Sequence, residues 1–229
     1  MPEIIKIDDT TYRIENDYVR FFLLIGNEKA VMIDSGYNCI DAKSIAEELT
    51  SLPVILLNTH GDGDHTSGTG SFAEINITED DYYGCDVNNR FPNVRFKKIV
   101  DGDVFDLGGR TLKIITIPGH TKGSVAILDV EARRLFSGDS VQNGTIFMFG
   151  DKREPEAFEA ALNKLIGMRS EYDTIVASHG NPILESDYAE KVLESWKEVR
   201  SSNMNYPIIN LHGADVRECA AKHCGFYLE

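Results

Sequence analysis

Cysteine is scarce in this 229-residue sequence, and basic residues are outnumbered by acidic ones. The four cysteines are scattered along the chain, a pattern that excludes a small scaffold built on disulfide bonds. Lysine and arginine number 23 against 37 aspartates and glutamates, which gives a formal net charge of −14. Because nucleic acids and many membrane surfaces are themselves negative, the sequence predicts neither of them as a main partner.

Long apolar runs are also missing from the sequence. No stretch approaches the roughly 20 apolar residues that a membrane-spanning helix requires. The first residues, MPEIIKIDD, contain acidic side chains where a secretory signal would have an uninterrupted apolar segment. We therefore expect a cytoplasmic protein. The sequence has no internal repeat or flexible linker, and residues 1–229 are predicted to form a single domain.

Short apolar segments separated by turn residues dominate the first 140 or so residues. Their length and composition are typical of strands, and glycine-containing turns divide them. The predicted strands are Val19–Ile25, Ala30–Ile33, Val54–Leu57, Thr111–Ile117, Ser124–Val130 and Leu135–Ser137.

Helical spacing of apolar residues is rarer. It occurs in Asp41–Leu52, Pro155–Met168 and Tyr188–Arg200. Near the C-terminus, we interpret Cys219–Cys224 as a helix end with partly buried thiols rather than as a metal site. Many strands with a few interspersed helices predict sheets covered by helices, in the α/β or α+β class.

Two histidines and two aspartates alternate with glycines in the segment His60-Gly61-Asp62-Gly63-Asp64-His65. The segment follows the predicted strand Val54–Leu57, and its glycines allow a tight loop that brings alternate side chains to one point. Imidazole and carboxylate together suit zinc, iron or manganese. A polar surface turn would also contain glycine and aspartate, but it would not need the two histidines.

Three more side chains of the same kind follow apolar strands. His120 comes after a Pro-Gly turn, Asp139 follows Leu-Phe-Ser-Gly, and His179 follows Ile-Val-Ala-Ser. Strand ends are places where a rigid scaffold can direct a side chain. The sequence therefore predicts a metal site assembled from one loop and three strand ends.

This pattern resembles the metallo-β-lactamase superfamily. The usual family motif is H-x-H-x-D-H, followed by a histidine, an aspartate and a final histidine. Pro118–Ser124 matches the family's third motif, and Ile33–Gly36 resembles its early Asp-x-Gly turn. The resemblance extends from about Val19 to His179 and implies an αββα four-layer sandwich, in which two mainly antiparallel sheets lie face to face with helices outside.

The resemblance also implies a site with two divalent metal ions, for which zinc is favoured and iron or manganese are alternatives. Asp64 would in addition accept or relay a proton. The first metal would be held by His60, Asp62 and His120, and the second by Asp64, His65 and His179. Asp139 would be the bridging carboxylate, and Asp34 would orient a ligand through hydrogen bonds.

Asp62 departs from the family pattern, which has histidine at this position. In the common motif, two carboxylates and a bridging hydroxide leave one positive charge on a pair of divalent ions. A third carboxylate would bring this net charge to zero. It would make the metals weaker Lewis acids and favour a harder metal than zinc. The alternative is that Asp62 turns away from the metals and only caps the loop.

The segment after Asp139 should lie near the metals and contribute to a substrate pocket. Phe147, Met148 and Phe149 are candidates for an apolar wall, although they could equally be core residues. Tyr37 and His212 are further candidates, and His212 could act at the rim or as a proton shuttle.

The sequence as a whole predicts a dinuclear metal-dependent hydrolase that uses a metal-bound hydroxide on a small ester, thioester or lactone. One alternative is an iron-dependent redox enzyme, similar to flavodiiron proteins or persulfide dioxygenases. Another is a phosphodiesterase similar to phosphorylcholine esterases.

Overall fold

The structure is a computed structural model, and it describes residues 2–38 and 41–229. In these residues the chain forms 17 strands and six α-helices. The strands are β1 Glu3–Asp8, β2 Thr11–Asn16, β3 Val19–Ile25, β4 Ala30–Ile33, β5 Val54–Leu57, β6 Glu74–Ile77, β7 Arg95–Lys98, β8 Val104–Asp106, β9 Thr111–Thr116, β10 Val125–Asp129, β11 Arg134–Gly138, β12 Thr145–Phe147, β13 Thr174–Ala177, β14 Ile183–Glu185, β15 Ile208–Leu211, β16 Ala214–Ala220 and β17 Gly225–Leu228. The helices are α1 Ala42–Leu49, α2 Gly63–Thr66, α3 Glu79–Gly84, α4 Val87–Arg90, α5 Pro155–Gly167 and α6 Tyr188–Ser201.

Strands β1 to β7 form one seven-stranded sheet in chain order. The strands from β1 to β4 pair antiparallel, whereas those from β4 to β7 pair parallel. Parallel neighbours require a crossover connection, and helix α1 supplies the one between β4 and β5. The carboxyl ends of β4 and β5 consequently lie side by side.

A second sheet has six strands in the order β14-β13-β11-β10-β9-β8. Its pairings are antiparallel except for that between β11 and β13. The parallel pair again places two strand ends next to each other, here directly before Asp139 and His179.

The two sheets pack face to face, with helices on both outer sides. Buried side chains from β3, β4 and β5 meet those from β9, β10 and β11 in one apolar cluster. A second cluster joins the first sheet to α1 and α3, and a third joins the second sheet to α5 and α6. The predicted αββα sandwich is confirmed, and its first sheet is mixed, with as many parallel as antiparallel pairings.

A third sheet of four strands, in the order β12-β17-β16-β15, was not predicted from the sequence. Phe226 of β17 packs against Trp196 of α6, with ring centroids 5.1 Å apart. The interpretation of Cys219–Cys224 as a helix end was wrong, because this segment is the end of β16 and the turn into β17. Both thiols are buried there.

The strands and helices predicted from apolar patterns are all present, with boundaries that differ by at most three residues. The largest difference is at the end of α1, which stops at Leu49 because Thr50 has an extended backbone. None of the helices in the described residues has the length and apolar composition needed to cross a membrane.

Candidate metal centre

The predicted ligands follow strand ends that meet at one edge of the sandwich. The loop Asn58–His65 follows β5 of the first sheet, and its last residues form the first turn of α2. His120, Asp139 and His179 follow β9, β11 and β13 of the second sheet. Both sheets therefore contribute side chains to the same place.

Two glycines permit the close approach of these loops. A Cβ atom at Gly61 would lie 2.5 Å from the carbonyl oxygen of Asp81. One at Gly138, where φ is +52°, would lie 2.8 Å from Oγ1 of Thr59. A Cβ at Gly63 would meet no described atom within 4 Å, so the tight packing of the loop depends on Gly61 rather than on both of its glycines.

All four histidines of the centre have Nδ1 held by a hydrogen bond, which leaves Nε2 to face the middle of the cluster. Such a partner fixes the ring orientation of a metal-binding histidine. The Nδ1 partners are Thr59 Oγ1 for His60 at 2.9 Å, Asp34 Oδ2 for His65 at 2.8 Å, the Phe147 carbonyl for His120 at 2.9 Å and the Tyr18 carbonyl for His179 at 2.9 Å.

Asp34 is fully buried and binds several groups besides His65. Its carboxylate accepts hydrogen bonds from the backbone N–H and the hydroxyl of Thr59, both at 2.8 Å, and from Asn58 Nδ2 at 3.3 Å. It thereby connects the end of β4 to the ligand loop after β5.

The side chains form two groups of potential metal ligands. In the first group, the Nε2 atoms of His60 and His120 are 3.3 Å apart, and Asp62 Oδ2 lies 3.8 and 3.4 Å from them. In the second group, Asp64 Oδ2 lies 3.3 Å from His179 Nε2 and 3.8 Å from His65 Nε2. Atoms that bind one ion at about 2.0–2.2 Å are themselves roughly 3–4 Å apart.

Asp139 lies between the two groups. Its Oδ2 atom is 3.7 Å from His120 Nε2 and 3.2 Å from His179 Nε2, and its Oδ1 atom is 3.2 Å from His65 Nε2. A carboxylate in this position can contact an ion in either group.

Two buried atoms of the centre support the fit of a metal. Nε2 of His65 and Oδ1 of Asp139 lie 3.2 Å apart, but neither forms a hydrogen bond with the other or with any further atom of the described residues. Buried polar atoms are rarely left without partners, because the loss of hydration costs free energy. A divalent ion would satisfy both, and the donor set of imidazoles and carboxylates suits such an ion.

Asp62, the residue that departs from the family motif, forms an ion pair with Arg153. The guanidinium donates from Nη1 to Oδ1 at 3.0 Å and from Nη2 to Oδ2 at 2.7 Å. Both side chains are largely buried, with 19% and 11% exposure. Asp62 therefore faces the first ligand group and Arg153 at the same time, and Arg153 was not predicted from the sequence.

Asp81 of α3 is a second residue that sequence reasoning missed. Its buried carboxylate accepts from the Gly61 N–H at 2.9 Å, the Thr121 hydroxyl at 2.6 Å and the Gly123 N–H at 3.0 Å. It thus joins the loop of His60 to the loop of His120.

The charges of the centre shift the pKa values of its members. Burial alone would lower the pKa of His179, but Asp139 and Asp64 raise it to about 10. Burial would raise the pKa of Asp62, yet His120, His60 and Arg153 hold it well below its usual range. His60 differs, because burial and the neighbouring His65 lower its pKa. Metal ions bind neutral imidazole, so they would compete with protons in this cluster.

A cavity of about 1040 Å³ opens above the ligands. The four residues predicted for a substrate pocket, Tyr37, Phe147, Phe149 and His212, all line it. Met148 points the other way and belongs to the core. The remaining wall includes cationic and aromatic side chains that were not predicted: Tyr18, Arg90, Lys152, Arg153 and Tyr227.

Comparisons with known proteins agree with this fold and motif. The family model described as the metallo-beta-lactamase superfamily matches residues 16–179. A metallo-beta-lactamase from Pontibacter korlensis superimposes with a TM-score of 0.71 at 17% identity, and the match covers 86% of this chain and 99% of that one.

Two curated relatives are named as thioester hydrolases. Human acyl-coenzyme A thioesterase is 23% identical over 164 residues, 55% of this chain and 59% of the relative. Hydroxyacylglutathione hydrolase of Francisella tularensis is 32% identical over 126 residues, 55% of this chain and 48% of the relative. The matches thus span about half the length of these relatives. With the family match extending from residue 16 to the last predicted ligand, the chain belongs to the metallo-beta-lactamase superfamily.

Proposed function

We propose that this protein is a two-metal hydrolase of small acyl compounds, with thioesters favoured over esters and lactones. The observation that carries the proposal is the position of Asp139 between two groups of ligands at the floor of one cavity. The thioester preference is supported by the names of the two relatives described above.

Each residue of the centre has a part in this proposal. His60, Asp62 and His120 would hold one ion, a second set would hold the other, and Asp139 would contact both. The second set consists of Asp64, His65 and His179. Bound divalent ions supply Lewis acidity and activate water for attack on a carbonyl carbon.

The chain's own groups would then position the reactants and move the proton. Asp64 borders the cavity, and its Oδ2 atom is 3.3 Å from Nε2 of His179. It could accept a proton from water and pass it to the leaving group. Asp34 would act through His65, whose ring it fixes, and through Thr59, whose hydroxyl holds the ring of His60.

The alternative reactions have unequal support. The negative charge of Asp62 favours a harder metal than zinc, such as iron, but the pair with Arg153 offsets this charge and weakens the support for iron-dependent redox chemistry. A phosphodiesterase is favoured by the cationic residues of the cavity, Arg90, Lys152 and Arg153.

The direct test is hydrolysis by protein reconstituted with zinc, manganese or iron. We expect release of free thiol from acyl thioesters and little cleavage of a p-nitrophenyl phosphodiester. Asp139→Ala should lose most of this activity and at least one metal ion, while circular dichroism remains that of the native fold. A variant with full metal content and normal turnover would remove Asp139 from the centre.

A further inference from the structure

Two cationic side chains face the cavity and have no carboxylate within salt-bridge distance in the described residues: Arg90 and Lys152. They are part of a chain whose net charge is −14, so positive charge is concentrated here against the general trend. The acidic residues that line the cavity are Asp62, Asp64 and Asp139, which all belong to the candidate metal centre.

The two cations lie on the same side of the cavity, next to the centre. Arg90 ends α4 and donates to Oγ1 of Thr66 at 3.2 Å, one residue beyond the predicted ligand His65. Lys152 directly precedes Arg153, and its aliphatic carbons face Gly84 at the end of α3. Both are close enough to the buried Cys85 to oppose the rise of its pKa to about 11 that burial causes.

Another wall of the cavity is aromatic and is formed by residues in or next to the strands of the third sheet. Phe147 packs against Phe149, His212 and Tyr227, with ring centroids 5.8, 6.3 and 5.0 Å apart. Such a surface suits an apolar group and offers no compensation for a negative charge. The cavity therefore has a cationic part and an apolar part beside one reaction centre.

We propose that the substrate is an acyl thioester whose thiol portion is negatively charged, with this charge bound by Arg90 and Lys152 and the acyl group lying along Phe147, Phe149 and Tyr227. This inference rests on the proposed hydrolysis and assigns substrate selection to named residues. In the reaction, water forms the new C–O bond, the C–S bond breaks, and the thiol leaves with one proton from water. Coenzyme A, through its phosphates, and glutathione, through its carboxylates, are two sources of the same chemistry.

Kinetics with matched substrates tests the proposal. The same acyl group is offered on coenzyme A, on glutathione and on the neutral N-acetylcysteamine. We expect the wild-type protein to prefer at least one anionic thioester over the neutral one, and the preference to fall as salt screens the charges. Whichever of the coenzyme A and glutathione thioesters has the higher kcat/KM identifies the thiol that the cavity recognises.

Variants then connect the preference to the two residues. Arg90→Gln combined with Lys152→Gln should raise KM for the anionic thioester by about tenfold, close to 1.4 kcal/mol, and raise KM for the neutral thioester much less. Lys113→Gln is the control, since Lys113 is a partly exposed cation on β9 that lies outside the cavity. Metal content and thermal unfolding of the variants verify that the centre is intact.

A binding measurement separates this inference from the proposed hydrolysis. Calorimetric titration of metal-free protein with free coenzyme A or glutathione should reveal salt-sensitive binding that the double variant weakens by about tenfold. If thioesters are hydrolysed but the neutral one is used equally well, or if the double variant leaves KM unchanged, the charge-binding inference is overturned and the hydrolase proposal stands. If metal-loaded protein hydrolyses no thioester, both are overturned.

Discussion

Asp62 and Arg153 illustrate how one substitution in a metal motif can be balanced by a distant residue. A carboxylate in place of an imidazole adds a negative charge to the first ligand group. Arg153, 91 positions later in the chain, adds a positive charge through two hydrogen bonds to the same carboxylate. With two divalent ions bound, the net charge around them would equal that of the common motif, so the expected weakening of Lewis acidity would not follow.

This balance predicts how metal affinity responds to substitution. Asp62→Ala removes a proposed ligand and leaves the Arg153 cation unpaired beside the first site, so that the metal affinity of this site should fall by at least about tenfold. Arg153→Met alone should retain both ions, because the carboxylate remains. The double variant should bind the first ion more tightly than Asp62→Ala, since the repelling cation is gone.

Titration of metal-free protein with zinc and with manganese, together with elemental analysis, measures these affinities. Equal metal stoichiometry and affinity in the wild type and Asp62→Ala would mean that Asp62 only caps the loop. If Asp62→Ala binds metal as tightly as the double variant Asp62→Ala, Arg153→Met, the charge of Arg153 has no effect on metal affinity.

The residues that the sequence identified and those that it missed differ in kind. The histidines and aspartates of the predicted centre stand beside apolar strands, so that local pattern and residue type sufficed to find them. Arg153 and Asp81 act through contacts with residues 91 and 20 positions away, respectively. An isolated arginine near a predicted helix start, or an aspartate in an acidic run, is in most proteins a solvated surface residue.

Helix α3 contributes no predicted ligand, but it supports the centre because its Asp81 holds two ligand loops. Asp81→Ala would leave two backbone N–H groups and one hydroxyl without their acceptor in a buried place. We expect the free energy of unfolding to fall by at least about 2 kcal/mol. Urea denaturation of metal-free protein measures this loss.

Asp80→Ala is the control for that experiment, because Asp80 is the exposed neighbour on the same helix. Similar unfolding curves for the two variants would argue that the contacts of Asp81 contribute nothing to stability. The metal affinity of Asp81→Ala should also fall, since His60 and His120 would lose their common support.

Apolar strands of the sandwich centre were predictable, whereas peripheral strands were not. Strands β3, β4 and β5 were predicted with the correct limits because most of their side chains are buried. Strand β1, EIIKID, has no buried residue, and β16 contains charged residues on its outer face. Pairing with a neighbour decides the conformation of such segments, and local composition carries little of that information.

For the whole molecule, metal ions would connect two separate sheets. The loop after β5 belongs to the first sheet, and His120, Asp139 and His179 belong to the second. Binding that occurs only in the folded state stabilises it, by about 2.7 kcal/mol when the free ion is 100 times its Kd. We expect thermal unfolding at a higher temperature with zinc or manganese than with a chelator.

Calorimetry of the wild type and Asp139→Ala provides the comparison. The metal-induced increase in Tm should be much smaller in the variant, which lacks the carboxylate that contacts both groups. An equal increase in the two proteins would indicate that the ions bind elsewhere.

A second connection between the sheets is electrostatic and should respond to acid. Asp8 at the end of β1 pairs with Arg134 at the start of β11. Partial burial by itself would raise the pKa of Asp8. The hydrogen bonds from Arg134 and Thr10 outweigh burial and lower this pKa from 3.8 to about 2. A depressed pKa contributes stability above pH 3.8, and that contribution disappears as the pH falls through about 2.

Asp8→Asn should therefore be less stable than the wild type at pH 7, with a difference that shrinks between about pH 4 and pH 2. The effect is modest, because both partners are partly exposed. Asp9→Asn is the control, since Asp9 is 96% exposed. A stability difference that stays constant down to pH 2 would contradict the assignment.

The third sheet has a consequence for how new specificities could arise in this architecture. Every predicted metal ligand lies between residues 60 and 179, whereas Leu211, His212 and Tyr227 enter the cavity from β15 to β17. Mutations in residues 208–228 could therefore alter the accepted substrate while the predicted ligands stay in place. Selection or directed evolution acting on this short stretch would explore substrates at little risk to turnover, which makes it the natural target for a variant library.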